Sequence, residues 1–361
     1  MSFNTAVTQQ PILSAKNLVK KFSSGGSVLH ATNDVSFDVY PGETLAIVGE
    51  SGCGKSTLGR MLLRLHEPSA GDVKYEGESI LNLNGAEMRG LRKDLQMIFQ
   101  DPFASLNPRM TVYKTLAESL KIHQKLRGQS LREAVYELLG LVGLSSTHAN
   151  SYPQEFSGGQ RQRIAIARAL ASKPKLIIGD EPVSALDVSV QAQVINLLND
   201  LKAKFGLTLV LISHDLSVIE HMSNRVLVMY LGEVVEMGTT DEVFNHPRHP
   251  YTQALLSSIP HPIPGSKKLK TLPGELPNPK NLPAGCYFRS RCQHAGQRCK
   301  QERPRLVNLD GATQVTGVTS HQVACFMHKD IPDFIPIRFE EHKSKDYQTR
   351  QKLYQFYSQK K

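Results

Sequence analysis

Apolar positions gather into a few dense runs separated by polar, glycine-bearing turns. TLAIVGE (44–50), LIIGDE (176–181) and LVLISHD (209–215) are apolar, β-branched stretches of the length and composition of buried strands. LGRMLLRL (58–65) and RIAIARALA (163–171) instead place their apolar residues at helical spacing. From Asp101 to about Leu144 the periodicity is again helical, with polar faces. Past about Pro260 the pattern dissolves into HPIPGSKKLKTLPGELPNPKNLPAG, rich in proline, glycine and lysine, which reads as a linker or irregular loop. No apolar run approaches the roughly 18 residues of a membrane-spanning helix. Strands alternating with helices predict an α/β domain with something smaller behind it.

Composition changes this little. The 361 residues are 40% hydrophobic and 21% charged, ordinary for a globular chain. The start, MSFNTAVTQQ, lacks the basic-then-apolar order of a signal peptide, so a cytosolic chain reaching a membrane through partners is expected. The net charge of +10 is partly local, since Glu341 to Lys361 carry six Lys/Arg against two acids. No interleaving of basic and aromatic residues marks a nucleic-acid groove, and none is expected as a partner.

The chemistry begins at GESGCGKST (49–57), between the first strand and the first helix. Gly49, Gly52 and Gly54 let the backbone curl so that successive N–H groups converge on an anion, and the following helix adds its positive end. Lys55 then suits the β- and γ-phosphates and Ser56 suits Mg²⁺, with Glu50, Ser51, Cys53 and Thr57 completing the loop. Asp180 and Glu181, ending an apolar strand, stand where α/β proteins place ligands. Asp180 can support Mg²⁺ and Glu181 can polarise an attacking water.

FSGGQRQRIAIARALA (156–171) places Ser157 as an N-cap before two glycines, 103 residues after Gly54. This stretch resembles the signature of ABC transporter ATPases, and the family's other motifs follow around it. Gln100, ending LQMIFQ, resembles the Q-loop glutamine, Ser184–Asp187 (SALD) the D-loop, and His214 the switch histidine. Phe22, in VKKF, falls where the family stacks an aromatic on adenine. The resemblance implies an α/β ABC ATPase: a P-loop, RecA-like core with an antiparallel β subdomain and a helical subdomain at about 101–160, spanning residues 1–260. It implies that Ser56, Gln100 and Asp180 hold Mg²⁺, that Glu181 activates water and that His214 contacts the γ-phosphate. Ser157, Gly158, Gly159, Gln160 and Asp187 would close over a nucleotide bound by an opposing subunit, so one chain supplies half of two sites.

Four of the five cysteines, Cys286, Cys292, Cys299 and Cys325, fall within forty residues, separated by five, six and twenty-five residues. Zinc sites usually include one pair about two to four residues apart, and none is so tight here. An iron–sulfur cluster, zinc and unligated or oxidised thiols all stay open on spacing alone. NHPRHPYTQALLSS, GELPNP, LPAGCYFRSRC and VACF resemble the C-terminal extension of dipeptide/oligopeptide importer ATPases. That resemblance implies a small, irregular extension at 261–330 whose four cysteines bind a [4Fe–4S] cluster, followed by a basic tail at 331–361. It further implies ATP hydrolysis that powers import of di- or oligopeptides. The expected partners are a second, non-identical ATPase, two transmembrane permeases and an extracytoplasmic binding protein, at the cytoplasmic face of a bacterial inner membrane. An importer of nickel or another small solute is the near alternative. A soluble, non-transport ABC protein is opposed by the lack of a second cassette or sustained heptads.

Overall fold

The computed structural model describes residues 10–259, 274–309 and 320–334. Part of the linker expected past Pro260 and all but the first four residues of the basic tail lie outside the described residues. The chain begins with β1 (Leu13–Ser24), β2 (Ser27–Val39), β3 (Thr44–Val48), α1 (Lys55–Leu62), β4 (Ala70–Tyr75) and β5 (Glu78–Ser79). Then come α2 (Gly85–Leu91), β6 (Leu95–Ile98), α3 (Pro102–Ser105), α4 (Val112–Gln124), α5 (Gly128–Leu141) and α6 (Gly158–Leu170). After them follow β7 (Leu176–Asp180), α7 (Val188–Phe205), β8 (Thr208–Ser213), α8 (Leu216–Met222), β9 (Arg225–Tyr230) and β10 (Glu233–Thr239). The described chain closes with α9 (Thr240–Asn245), α10 (Pro250–Ser257), α11 (Gln297–Gln301), β11 (Val307–Asn308) and β12 (Gln322–Val323).

The main sheet has the order β11-β12-β10-β9-β3-β8-β7-β6, parallel from β9 to β6. Every residue of β3, β7, β8 and β9 is buried, as expected for parallel strands covered on both faces. Alternation divides β3 between two cores: Leu45 and Ile47 pack with α1 and the β1–β2 hairpin, Ala46 and Val48 with the helices of the opposite face. A second, antiparallel sheet of order β2-β1-β4-β5 covers the first of these faces.

The stretch predicted as a helical subdomain is helical. Thr111 caps α4, which turns Val112, Leu116 and Leu120 inward against Leu131, Val135 and Leu139 of α5. Its outer side leaves Phe103, Ile122, Tyr136 and Tyr152 exposed.

Behind the α/β core, the described part of the C-terminal region is largely irregular, as expected, but it is tied to the core. It adds strands to the main sheet: Gln322–Val323 pairs antiparallel with Glu236–Met237 at the open edge of β10, and β11 pairs with β12. Strands of two residues carry too little alternation to be read from a sequence. The joint is also polar. Glu236, fully buried, accepts from the Arg248 and His249 N–H groups and lies 2.8 Å from His321 Nε2. Nearby, Glu233 pairs with Arg303 at 2.6 Å and accepts from Asn33 Nδ2. Burial lifts the Glu233 carboxyl to about 7 despite the Arg303 guanidinium beside it.

Because the folded protein holds the Glu233 proton more tightly than the unfolded chain, this group favours folding at low pH, and that advantage fades as pH rises from the ordinary carboxylate range through about 7. Thermal melting across this range is therefore expected to show the native protein losing stability relative to Glu233→Gln as pH rises. Parallel curves for the two proteins would contradict the burial assigned to this carboxyl.

Candidate nucleotide site

The turn between β3 and α1 has a shape that only glycine supplies at its critical points. Gly52 and Gly54 have φ of 80° and 104°, in the left-handed region. A Cβ at Gly54 would stand 2.0 Å from the Ala31 carbonyl oxygen of β2, and one at Gly49 would stand 2.2 Å from the Met229 carbonyl oxygen of β9. The turn is thus pressed against backbone on both sides. Gly54 is also the N-cap of α1, which has no side-chain cap and no acid in its first turn, so its open N–H groups keep their preference for an anion. Lys55 is buried, and its Nζ donates to the carbonyls of Gly49 and Glu50 at 2.8 and 3.0 Å, keeping the ammonium inside the turn.

The carboxylates come from the end of β7, which β8 separates from β3 in the sheet. Asp180, 1% exposed, accepts from Ser56 Oγ at 2.7 Å. Its burial raises its pKa, with Ser56 and Arg60 pulling the other way. Glu181 has a left-handed backbone, φ 49°, rare for a residue bearing a Cβ and a mark of a constrained position. Gln100 Nε2 donates to Glu181 Oε2 at 2.9 Å, and His214 Nδ1 stands 3.2 Å from the same oxygen. Three residues far apart in sequence therefore meet on one carboxylate.

These groups face a cavity of about 600 Å³ whose lining includes Gly52, Lys55, Ser56, Gln100, Glu181 and His214, with Ser51, Gly54 and Thr57. The donor set suits a triphosphate with Mg²⁺: backbone N–H groups and an ammonium for phosphate oxygens, a hydroxyl, an amide and a carboxylate for a hard cation. Other loop residues do different work. The Cys53 thiol is buried in the hydrophobic core, and burial raises its pKa. The Glu50 carboxylate turns away to Arg291.

Phe22 is not among the residues lining this cavity. Its ring meets His66 edge-on at 5.8 Å and lies 4.9 Å from Lys20 Nζ. Leu29, His30, Ala31 and Pro279 do line the cavity. Pro279, from the C-terminal region, reaches it by accepting a hydrogen bond from the His30 N–H, a contact across 249 residues (279 − 30) that no local motif reveals. Ser157 and Gly158 are exposed away from this cavity, with Ser157 and Gln160 closed into a capping box at the start of α6. Gly159 packs on Val190 of α7, and Asp187, the exposed N-cap of α7, lies outside the lining as well.

Residues 32–184 match the sequence profile of the ABC transporter family, and residues 235–299 that of the oligopeptide/dipeptide transporter C-terminal region. The chain is 52% identical over 301 residues to the oligopeptide transport ATP-binding protein OppF of Salmonella typhimurium, spanning 82% of this chain and 87% of the relative. It belongs to the ABC transporter ATPases. It is also 46% identical over 333 residues to the dipeptide transport ATP-binding protein DppF of Escherichia coli, spanning 90% and 97% of the two chains. Among solved structures, a dimeric post-hydrolysis state of the ATP-binding cassette MJ0796 bound to ADP and Pi superposes with a TM-score of 0.58 at 31% identity. That match covers 63% of this chain and 98% of the cassette.

The four late cysteines of this ATPase carry no disulfide. Burial pushes Cys286 up to about 11 and Cys325 up to about 12, and the neighbouring thiols add to both shifts. They are therefore within electrostatic reach of one another. Yet among the described residues no group of three or more His, Cys, Asp or Glu is gathered closely enough to hold a metal ion. The [4Fe–4S] cluster that the resemblance implies has a larger body than a single ion and takes its four thiolates further apart.

Gly54→Ala tests the turn most simply, because its methyl group would meet the Ala31 carbonyl oxygen at 2.0 Å. Calorimetric titration with MgATP is expected to show affinity at least about tenfold weaker, or 1.4 kcal/mol. Unchanged affinity would contradict the role given to this close contact.

Proposed function

We propose that this ATPase powers peptide import, and that the cavity at the head of α1 takes the phosphates of MgATP. The observation that carries the site is the convergence of Gln100 and His214 on Glu181 beside the Ser56–Asp180 pair. In this reading Lys55 and the loop N–H groups hold the phosphate oxygens, while Ser56, Gln100 and Asp180 are the residues for Mg²⁺. When bound, the cation would supply charge neutralisation for the phosphates. Glu181 orients a water and takes its proton, and His214, on the same carboxylate oxygen, contacts the γ-phosphate.

Ser157, Gly158, Gly159, Gln160 and Asp187 serve a second site. The exposure of Ser157, Gly158 and Asp187 away from this cavity suits closure over a nucleotide held by another ATPase subunit. That partner is a non-identical paralogue, and two membrane permeases and an extracytoplasmic binding protein complete the assembly at the cytoplasmic face of the inner membrane. Among the described residues no helix is long and apolar enough to cross a membrane, so the permeases supply the span. The helical layer, on which Phe103, Ile122 and Tyr136 are exposed, is the part the resemblance assigns to contact with them. The peptide assignment follows the names of the relatives and the C-terminal match. For the four cysteines, the reading carried forward is the [4Fe–4S] cluster that the resemblance implies. Iron analysis of anaerobically purified protein decides it: about four iron atoms per chain supports a cluster, and none leaves four thiols.

In the assembled complex, Glu181→Gln should lower ATP turnover by about 10²- to 10⁴-fold while MgATP binding persists and a nucleotide-bound dimer accumulates. Turnover at the native rate would remove Glu181 from the chemistry. With the binding protein in proteoliposomes, peptide but not nickel should stimulate hydrolysis. The opposite pattern would reassign the solute.

A further inference from the structure

The back of the phosphate loop is fastened by the C-terminal region. Glu50 lies in the loop, one residue after Gly49. Its N–H donates to the Tyr251 hydroxyl at 2.8 Å, so α10 holds its backbone. Its carboxylate is gripped by Arg291: Nη1 donates to Oε2 at 2.6 Å and Nη2 to Oε1 at 2.9 Å, a bidentate pair spanning 241 residues. The Arg291 side chain is only 3% exposed and that of Glu50 25%. Tyr230 and Phe288 flank the guanidinium, with ring centroids at 5.8 and 5.9 Å, and Tyr230, Tyr251 and Phe288 pack on one another at 4.7 to 5.4 Å. Water reaches this pair poorly, so either partner alone would leave a charge without compensation.

We propose that Arg291, carried by the turn between Cys286 and Cys292, is a positioning residue for the ATP site: it holds Glu50, and through Glu50 fixes the backbone that receives the phosphates. The inference rests on the reading of the cavity as the ATP site and goes beyond it, since Arg291 does not line the cavity. The physical argument is one of pre-organisation. The loop binds through backbone N–H groups, whose directions depend on φ and ψ at the residues between the glycines. Gly49 and Gly54 are fixed by close packing against Met229 and Ala31, but Glu50 bears a side chain and depends on its partners. Two anchors, a hydroxyl on its N–H and a fork on its carboxylate, remove that freedom before nucleotide arrives. The turn holding Arg291 is itself tied down, because the Cys286 N–H donates to the Cys299 carbonyl and the Arg291 N–H to the Phe288 carbonyl.

The test is steady-state ATP hydrolysis by the assembled complex, with MgATP titration of the same preparations. Arg291→Ala is expected to raise KM and the dissociation constant for MgATP by about ten- to thirtyfold while kcat stays within about threefold, because Arg291 shapes binding and not the water-activating groups. Arg291→Lys should recover only part of the loss, since an ammonium cannot make the two-pronged contact. Glu50→Gln, which keeps the side-chain shape, should weaken MgATP binding in the same sense. Combined with Arg291→Ala it should cost no more than the worse single change. Should Arg291→Ala fail to assemble, Glu50→Gln and Arg291→Lys carry the test alone. Native KM in these variants, equal losses in KM and kcat, or additive effects in the pair would overturn the proposal. Native protein that binds no MgATP, with Lys55→Ala indistinguishable from it, would instead overturn the reading of the cavity.

Discussion

The curled backbone of Gly49–Gly54 is the constraint on which the rest of the site depends. It exists because two carbonyl oxygens, from Ala31 and Met229, stand where side chains would otherwise be, and because the Cys53 carbonyl accepts from the Gly232 N–H. These contacts bring β2 and the β9–β10 turn against the loop, so the antiparallel sheet and the main sheet share in shaping it. Around the loop, the ends of β7 and β8 deliver Asp180, Glu181 and His214 because adjacent parallel strands end at the same edge. β6, beside β7, similarly delivers Gln100. A parallel sheet with a loop at one strand end therefore gathers the residues for both halves of the proposed chemistry, anion binding and water activation.

The left-handed backbone at Glu181 fits the same picture. A side-chain-bearing residue adopts φ near 49° only where its surroundings dictate it, and here the Glu181 N–H is fixed to the Ile212 carbonyl of β8. Its carboxylate, shared by Gln100 and His214, ties the start of the helical layer to the end of β8. A ligand that rearranged this junction would act on α3, which follows Gln100, and on α8, which follows His214. The proposed nucleotide site would thereby connect change at the nucleotide with movement of the helical layer.

Much of this was legible in the sequence because the chemistry is written in short contiguous motifs. GESGCGKST, LIIGDE and LVLISHD each name a strand end and the residues that follow it, and the structure brings their side chains together. Where each side chain of a motif points was not legible from its position in the chain. Glu50 and Cys53 belong to the loop, yet one carboxylate leaves for Arg291 and one thiol sinks into the core. Phe22 occupies a familiar place in the chain but lies on His66 and Lys20. The docking of the C-terminal region could not be read at all. Its strands are two residues long, and its buried polar contacts, His321 to Glu236 and Arg291 to Glu50, join residues 85 and 241 positions apart. Only the fold supplies such pairs.

The account is tested most directly by the structure of the assembled complex with MgATP held in a slowly hydrolysed form. The expected result is a nucleotide whose phosphates lie in the Gly49–Gly54 turn against Lys55, with Gln100, Glu181 and His214 around the γ-phosphate and the far side closed by a signature serine from a second ATPase subunit. A nucleotide seated elsewhere on this chain, or a γ-phosphate left open to water in the closed assembly, would contradict it.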